Sequence, residues 1–277
     1  MRLHRRATLV LATTLSIVGV TAAAGASAPA PAEAATSTAI PTGSVTSNGH
    51  TWTPVVSRDF TTNAALGSFT NVYGAAQAGY SNLRDTSGKG LYSPAKVLSA
   101  QNGNLDYYLH TASGQPLVAA YMPNGYTGQT YGRYAVRLQA DNLPGYKVAF
   151  NLWPTSNNWN QGEIDWPDGG INGPVFPASA IAGSYNSSTG SMSFDKPPTS
   201  AAPTMGTGWH DYVIEWSPGH VRWYFDGTLV GQTTNPSGVP TQPLRWTLQA
   251  ETNLEGKTVA ASTAGHLRVA WAVQYKY

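Results

Sequence analysis

The chain has 277 residues, no cysteine, 11% charged residues and a formal net charge of +2. So sparse and balanced a charge excludes a disordered chain and excludes nucleic acid as the main partner. Without disulfides, stability must come from an apolar core, which a chain of this length can supply.

At the N terminus, Arg2, Arg5 and Arg6 precede an apolar run from Ala7 to Val20, and small residues then lead to Ala32-Glu33-Ala34. The run is shorter than the roughly 20 residues of a membrane span. With its basic start and A-x-A ending it reads as a secretory signal over residues 1–34, cut after Ala34, with Ala28 as a second choice. The Arg5-Arg6 pair is compatible with either the general or the twin-arginine export route. A secreted, extracellular protein is therefore expected, with no membrane contact after cleavage. Residues 35–50 are rich in Ala, Ser, Thr, Pro and Gly and read as a flexible leader. Residues 51–277 show one composition regime and no repeat, so one domain is expected there, monomeric in solution.

From Trp52 onward no long helical period occurs. Short alternating runs are punctuated by Gly, Pro, Asn and Asp. Val97-Leu98 and Leu105–Leu109 flank Gln101-Asn102-Gly103-Asn104, a hairpin signal. Tyr134 to Gln139 alternates. Tyr212–Trp216 and Val221–Phe225 flank Pro218-Gly219, Asp226-Gly227 turns the chain into Thr228–Val230, and a last strand spans Leu267 to Tyr275. The pattern predicts an all-β sandwich or barrel.

The chemistry is concentrated in Glu163-Ile164-Asp165-Trp166-Pro167-Asp168. Glu163 and Asp165 share a strand face. Strict alternation places Asp168 opposite, but one extra residue brings it back, and Pro167 suits such a bulge because it has no N–H to lose from a ladder. Two carboxyls on one face suit a retaining glycosidase, where one attacks the anomeric carbon and the other protonates the leaving oxygen. The alternative is a solvated acidic strand edge. Trp153, Trp159 and Trp166 around the cluster, in a chain with only 14 acidic residues, favour the site. With nine Trp and fifteen Tyr, the composition suits a neutral sugar polymer, whose apolar ring faces stack on aromatics.

These residues and their flanks resemble glycoside hydrolase family 16, whose E-x-D-x-x-E pattern is met here in all but its last letter. Tyr131-Gly132-Arg133-Tyr134 resembles the family's Y-G-R-[FY] strand, and Val148 to Pro154 its P-A-F-W-L-L-P strand. Gly208 to Trp216 with Tyr224-Phe225-Asp226-Gly227 resembles its F-H-x-Y-x-I-x-W…Y-x-D-G hairpin, and Leu267 to Tyr275 its closing strand. The resemblance covers most of residues 52–277 in the family's order. It implies a jelly-roll β-sandwich of two curved antiparallel sheets with a concave cleft.

Carried over, Glu163 is the nucleophile, Asp165 its helper and Asp168 the acid/base, one methylene shorter than the family's Glu. Asn151 stands where the family has a cleft Trp, and Trp153 shares its strand face. Gln249 matches a cleft Asn, and Glu251 shares its face as a spare carboxylate for sugar hydroxyls or as an exposed strand-end acid. Arg133 either holds a sugar hydroxyl or pairs with an acid, and Trp159 sits in a polar loop at the cleft rim. No His or Cys cluster has zinc spacing. No cofactor is implied, and a structural calcium ion is compatible with such folds, though no Asp-rich loop specifies one. The family includes β-1,3- and β-1,3-1,4-glucanases, galactan hydrolases and transglycosylases. The expectation is a retaining endo-glycosidase on a β-glucan. The alternatives are a transglycosylase or a non-catalytic carbohydrate-binding protein on the same fold.

Overall fold

The computed structural model describes residues 39–197, 202–253 and 258–277. The expected signal segment, 1–34, lies outside the described residues.

Among the described residues sixteen strands occur in chain order: β1 (Val45–Ser47), β2 (His50–Arg58), β3 (Leu91–Tyr92), β4 (Leu98–Gln101), β5 (Asn104–Ala112), β6 (Gln115–Tyr121), β7 (Gly132–Ala140), β8 (Tyr146–Pro154), β9 (Ile164–Gly170), β10 (Val175–Ala180), β11 (Phe194–Asp195), β12 (His210–Ser217), β13 (His220–Phe225), β14 (Thr228–Thr233), β15 (Leu244–Thr252) and β16 (Gly265–Lys276). The predicted hairpins form where the turn residues stand. Asn102 and Gly103 both take positive φ (54° and 71°) between β4 and β5, as do Asp226 and Gly227 (46° and 77°) between β13 and β14. That is the backbone of a two-residue turn whose twist matches paired strands.

Hydrogen bonding runs in one path, β11-β10-β9-β8-β15-β6-β5-β16-β7-β12-β13-β14. The path doubles back at the β5–β6 hairpin, so β6 to β11 make one sheet and β5 to β14 the other. A single core fills the space between them. Val148, Phe150 and Leu152 of β8, Ile164 and Trp166 of β9 and Trp246 and Leu248 of β15 meet Tyr134, Val136 and Leu138 of β7 and Tyr212, Ile214 and Trp216 of β12. This is the expected sandwich. Alternation then turns Lys147, Ala149, Asn151 and Trp153 of β8 away from the core, onto the open face of the first sheet.

The expected leader differs from what is observed. From Val45 the chain pairs as the β1–β2 hairpin, and Ile40, Val45 and Trp52 pack on Ala135, Val213, Trp271, Val273 and Tyr275, covering the far side of the second sheet. Ser47 Oγ (2.5 Å) and Asn48 Nδ2 (2.6 Å) donate to the buried Glu215 carboxylate. The small polar residues here close a hairpin and partner a buried charge.

Candidate active site

The acidic triplet is shaped by the predicted bulge. Asn151 of β8 pairs with Asp165 and Ala149 with Asp168, so Trp166 and Pro167 together oppose Phe150. On the other side Ala178 pairs with Asp165 and Phe176 with Asp168. The extra residue returns Asp168 to the face of Asp165 and sends Trp166 inward, where its Nε1 donates to the Tyr224 carbonyl at 2.9 Å. The Trp166–Pro167 peptide is cis.

Glu163 stands just before β9. A 3₁₀ turn, Trp159–Gln161, delivers it, started by Asn158, whose side chain accepts from the Asn160 N–H. Gly162 follows at φ 105°, and a Cβ there would lie 2.7 Å from Pro240 Cγ, so only glycine fits this corner. The turn places Trp159 beside the carboxylate it precedes. Trp159 Nε1 donates to Glu163 Oε2 at 2.7 Å, and Asn151 Nδ2 donates to Oε1 at 3.1 Å and to Gln249 Oε1 at 3.2 Å. Asp165 and Glu163 also share a hydrogen bond.

Both carboxyls are buried, and burial disfavours their charged forms. It pushes Glu163 up to about 7, against the hydrogen bonds from Asp165 and Trp159, with the Asp168 charge adding to the rise. Asp165 is raised well above the usual range, first by burial and then by the charge of Glu163. The hydrogen bond between the two lowers Glu163 and raises Asp165, which makes Asp165 the donor and Glu163 the acceptor of the pair. With three donors around it, Glu163 is a carboxylate built to accept. Asp168 is the solvent-facing member, its side chain 41% exposed.

Lys147 lies between Asp168 Oδ1 (3.5 Å) and Glu251 Oε2 (3.6 Å). Burial pulls its ammonium down, but Asp168, Glu251 and Asp165 outweigh that and hold it above its ordinary value. Sequence reasoning missed Lys147. Its two-residue spacing from Ala149 and Asn151, in a chain poor in charge, was the available signal.

Around Glu163 the ring of Trp159 lies 5.7 Å from Trp153, 5.3 Å from Tyr185 and 6.3 Å from Phe194. Tyr185 and Phe194 were not legible as site residues, because they arrive from later segments. Beyond Asp168 the groove opens into a cavity of about 890 Å³ lined by Lys147, Asp168, Phe176, Ala178, Lys196 and Asn253 among others. Phe176 is exposed there.

Two expected ligand contacts are corrected. Arg133 is on β7, at an outward position of the second sheet, where it pairs with Glu215 (3.2 Å) and lies over the Tyr275 ring. It therefore takes the acid-pairing role, but outside the cleft. Glu251 is neither an exposed strand-end acid nor open to sugar. It is 1% exposed and accepts from Tyr92 OH (2.6 Å) and Thr86 Oγ1 (2.9 Å). Among the described residues, no cluster of three or more His, Cys, Asp or Glu is arranged to hold a metal ion.

The site now has a bulged acidic strand, a carboxylate held by N–H donors and an aromatic wall, and the family model for glycosyl hydrolases family 16 matches residues 99–273. The chain belongs to glycosyl hydrolase family 16. A β-glucanase of Rhodothermus marinus is 28% identical over 120 residues, a stretch that spans 40% of this chain and 40% of the relative. Among solved structures, the laminarinase of the same organism superposes with a TM-score of 0.65 at 22% identity, over 81% of this chain and 97% of that one. An endo-β-1,3-glucanase of Pyrococcus furiosus gives 0.60 at 17% identity, over 85% and 98%. At these identities the superpositions establish the jelly-roll fold.

Proposed function

We propose that this family 16 protein is a retaining endo-glycosidase that hydrolyses a β-1,3- or β-1,3-1,4-linked glucan. The observation that carries the reading is the bulge, which gathers a donor-held Glu163, a buried Asp165 and a solvent-facing Asp168 on one face beside an aromatic wall. The glucan is supported by the relatives, a β-glucanase, a laminarinase and an endo-β-1,3-glucanase.

In the proposed mechanism Glu163 attacks the anomeric carbon while Asp168 gives its proton to the departing glycosidic oxygen. The hydrogen bond from Asp165 keeps Glu163 oriented and stabilises its charge before attack. Asp168, now ionised, takes a proton from water, which displaces Glu163 and leaves the anomeric configuration retained. Trp153, Trp159 and Tyr185 offer ring faces to the sugars next to Glu163. We place the protein outside the cell, on the strength of the signal-like N-terminal sequence, and take it to act as a monomer.

The test is reducing-end release from β-1,3-glucan, mixed-linkage glucan, galactan and xylan by wild type and Glu163→Gln. Cleavage of the glucans by wild type alone is expected, with the β-anomer appearing first by proton NMR. Full turnover by folded Glu163→Gln, or first appearance of the α-anomer, contradicts the mechanism. A second reading, a carbohydrate-binding protein without catalysis, is favoured by the shorter Asp168 and its ion pair. It predicts glucan binding with no cleavage.

A further inference from the structure

We infer that Lys147 is a positioning residue for Asp168, and that the buried carboxylate of Glu251 exists to hold Lys147 in that post. The inference rests on the reading of Asp168 as acid/base. Among the described residues, the Asp168 carboxylate has a single polar partner, the Lys147 ammonium at 3.5 Å. Glu163, by contrast, is fixed by Trp159, Asn151 and Asp165. An Asp whose side chain is 41% exposed and otherwise unpartnered is free to turn into solvent. Catalytic geometry tolerates errors of only about 0.5 Å, so whatever fixes this carboxylate matters to the rate.

The strand register explains why a lysine can reach. Lys147 pairs with Gly170 on β9 and with Glu251 on β15, while Ala149 pairs with Asp168. Lys147 and Asp168 are thus diagonal neighbours on one face, within reach of a long side chain. Ala149 and Gly170 leave a lane free of bulk for the lysine stem. Its side chain is only 10% exposed, so the ammonium has been taken largely out of water.

Glu251 is arranged for this one cation. Tyr92 OH, Thr86 Oγ1 and the Thr86 N–H all donate to Oε1. Oε2 is buried with no hydrogen-bond donor, and what faces it is the Lys147 ammonium at 3.6 Å. Burial, followed by the nearby Glu251 charge, raises Tyr92, so the phenol stays a donor. A buried ion pair is costly to desolvate and is weak as a stability device. It serves here because Asp168 must be protonated in one half of the cycle and ionised in the other. A lysine paired with Asp168 alone would be left buried and uncompensated each time Asp168 took up its proton. With Glu251 as a second counter-charge, the ammonium keeps a partner through both states. The titratable groups facing it are Asp168 and Asp165 from β9 and Glu251 from β15.

The experiment compares wild type, Lys147→Met, Lys147→Arg and Glu251→Gln on two substrates. One is a β-1,3-glucan oligosaccharide, whose leaving group needs a proton. The other is a dinitrophenyl β-glucoside of a short glucan oligomer, whose leaving group does not. For Lys147→Met, kcat/KM on the oligosaccharide should fall by about 10- to 100-fold, as for a displaced general acid. On the aryl substrate the change should stay within about twofold, because that step gains nothing from the acid. Lys147→Arg should recover most of the loss, and Glu251→Gln should show the same selectivity in weaker form. Equal losses on both substrates, or none on either, overturn the inference. Should Lys147→Met fail to fold, the selectivity of Lys147→Arg and Glu251→Gln decides by the same criterion. A wild type inactive on both substrates overturns the reading of Asp168 itself. An active wild type with unselective variants overturns the role of Lys147 alone.

Discussion

Replacing Trp159 by Phe removes one atom pair that matters, the Nε1–H that donates to Glu163 Oε2 at 2.7 Å. The phenyl ring keeps a face toward Trp153 and Tyr185, so the aromatic wall persists. A hydrogen bond to a charged, buried acceptor is worth about 1.5–3 kcal/mol. At 1.36 kcal/mol per pKa unit, losing it raises the carboxylate by about one to two units. The sign is fixed by the direction of the bond, which stabilises the ionised form. Burial already sets Glu163 near 7, and as the proposed nucleophile it must be ionised to attack. The acidic limb of kcat/KM against pH should therefore move upward by about one to two units, because that ratio reports the free enzyme. At pH 6 the variant should be about 10- to 100-fold slower than wild type, and the two profiles should converge as pH rises. The assay is aryl-oligosaccharide hydrolysis across pH 4.5–9, with circular dichroism to confirm folding. Superimposable acidic limbs would refute the reasoning, since Glu163 would then not be the ionisation that limits attack.

Three further outcomes are expected. Because the folded value of Glu163 is raised above its ordinary 4.5, stability from this group is lost as pH rises from 4.5 through about 7. Glu163→Gln should therefore raise Tm at pH 8, by up to about 3 kcal/mol of stability, and leave it nearly unchanged at pH 4. A variant no more stable than wild type at pH 8 contradicts this. Gly162→Ala must take a Cβ at φ 105° and 2.7 Å from Pro240 Cγ, so it should cost about 1–3 kcal/mol and lower kcat by displacing Glu163. Unchanged urea midpoint and unchanged kcat together would show the corner is not tight. Glu215→Leu leaves Ser47, Asn48 and Arg133 without their carboxylate and should destabilise the fold by about 3 kcal/mol, with little change in kcat, since the pair lies outside the cleft. A large kcat effect without a stability effect would place that cluster in the catalytic path.

The sequence by itself determined the elements and the central motif. Asn102-Gly103 and Asp226-Gly227 prescribe tight turns, because few other residues enter positive φ without strain. Alternation on either side then sets the strands. The bulge could be read at Pro167, and with it the return of Asp168 to the face of Asp165. What alternation cannot tell is which neighbouring strand a face will meet. Arg133 and Asp165 both occupy outward positions, yet β7 pairs with β16 and β12 while β9 pairs with β8 and β10. One outward face therefore supports the N-terminal hairpin and the other lines the groove. Glu251 looked like a free strand-end acid until Tyr92 and Thr86, about 160 residues earlier in the chain, closed over it. Lys147 acquired its role in the same way, from Asp168 on one neighbouring strand and Glu251 on the other. A residue's neighbours along the chain decide its backbone and its side of the strand. Its charge partners and burial depend on strands that pair across long separations, and only the folded sheet brings those together.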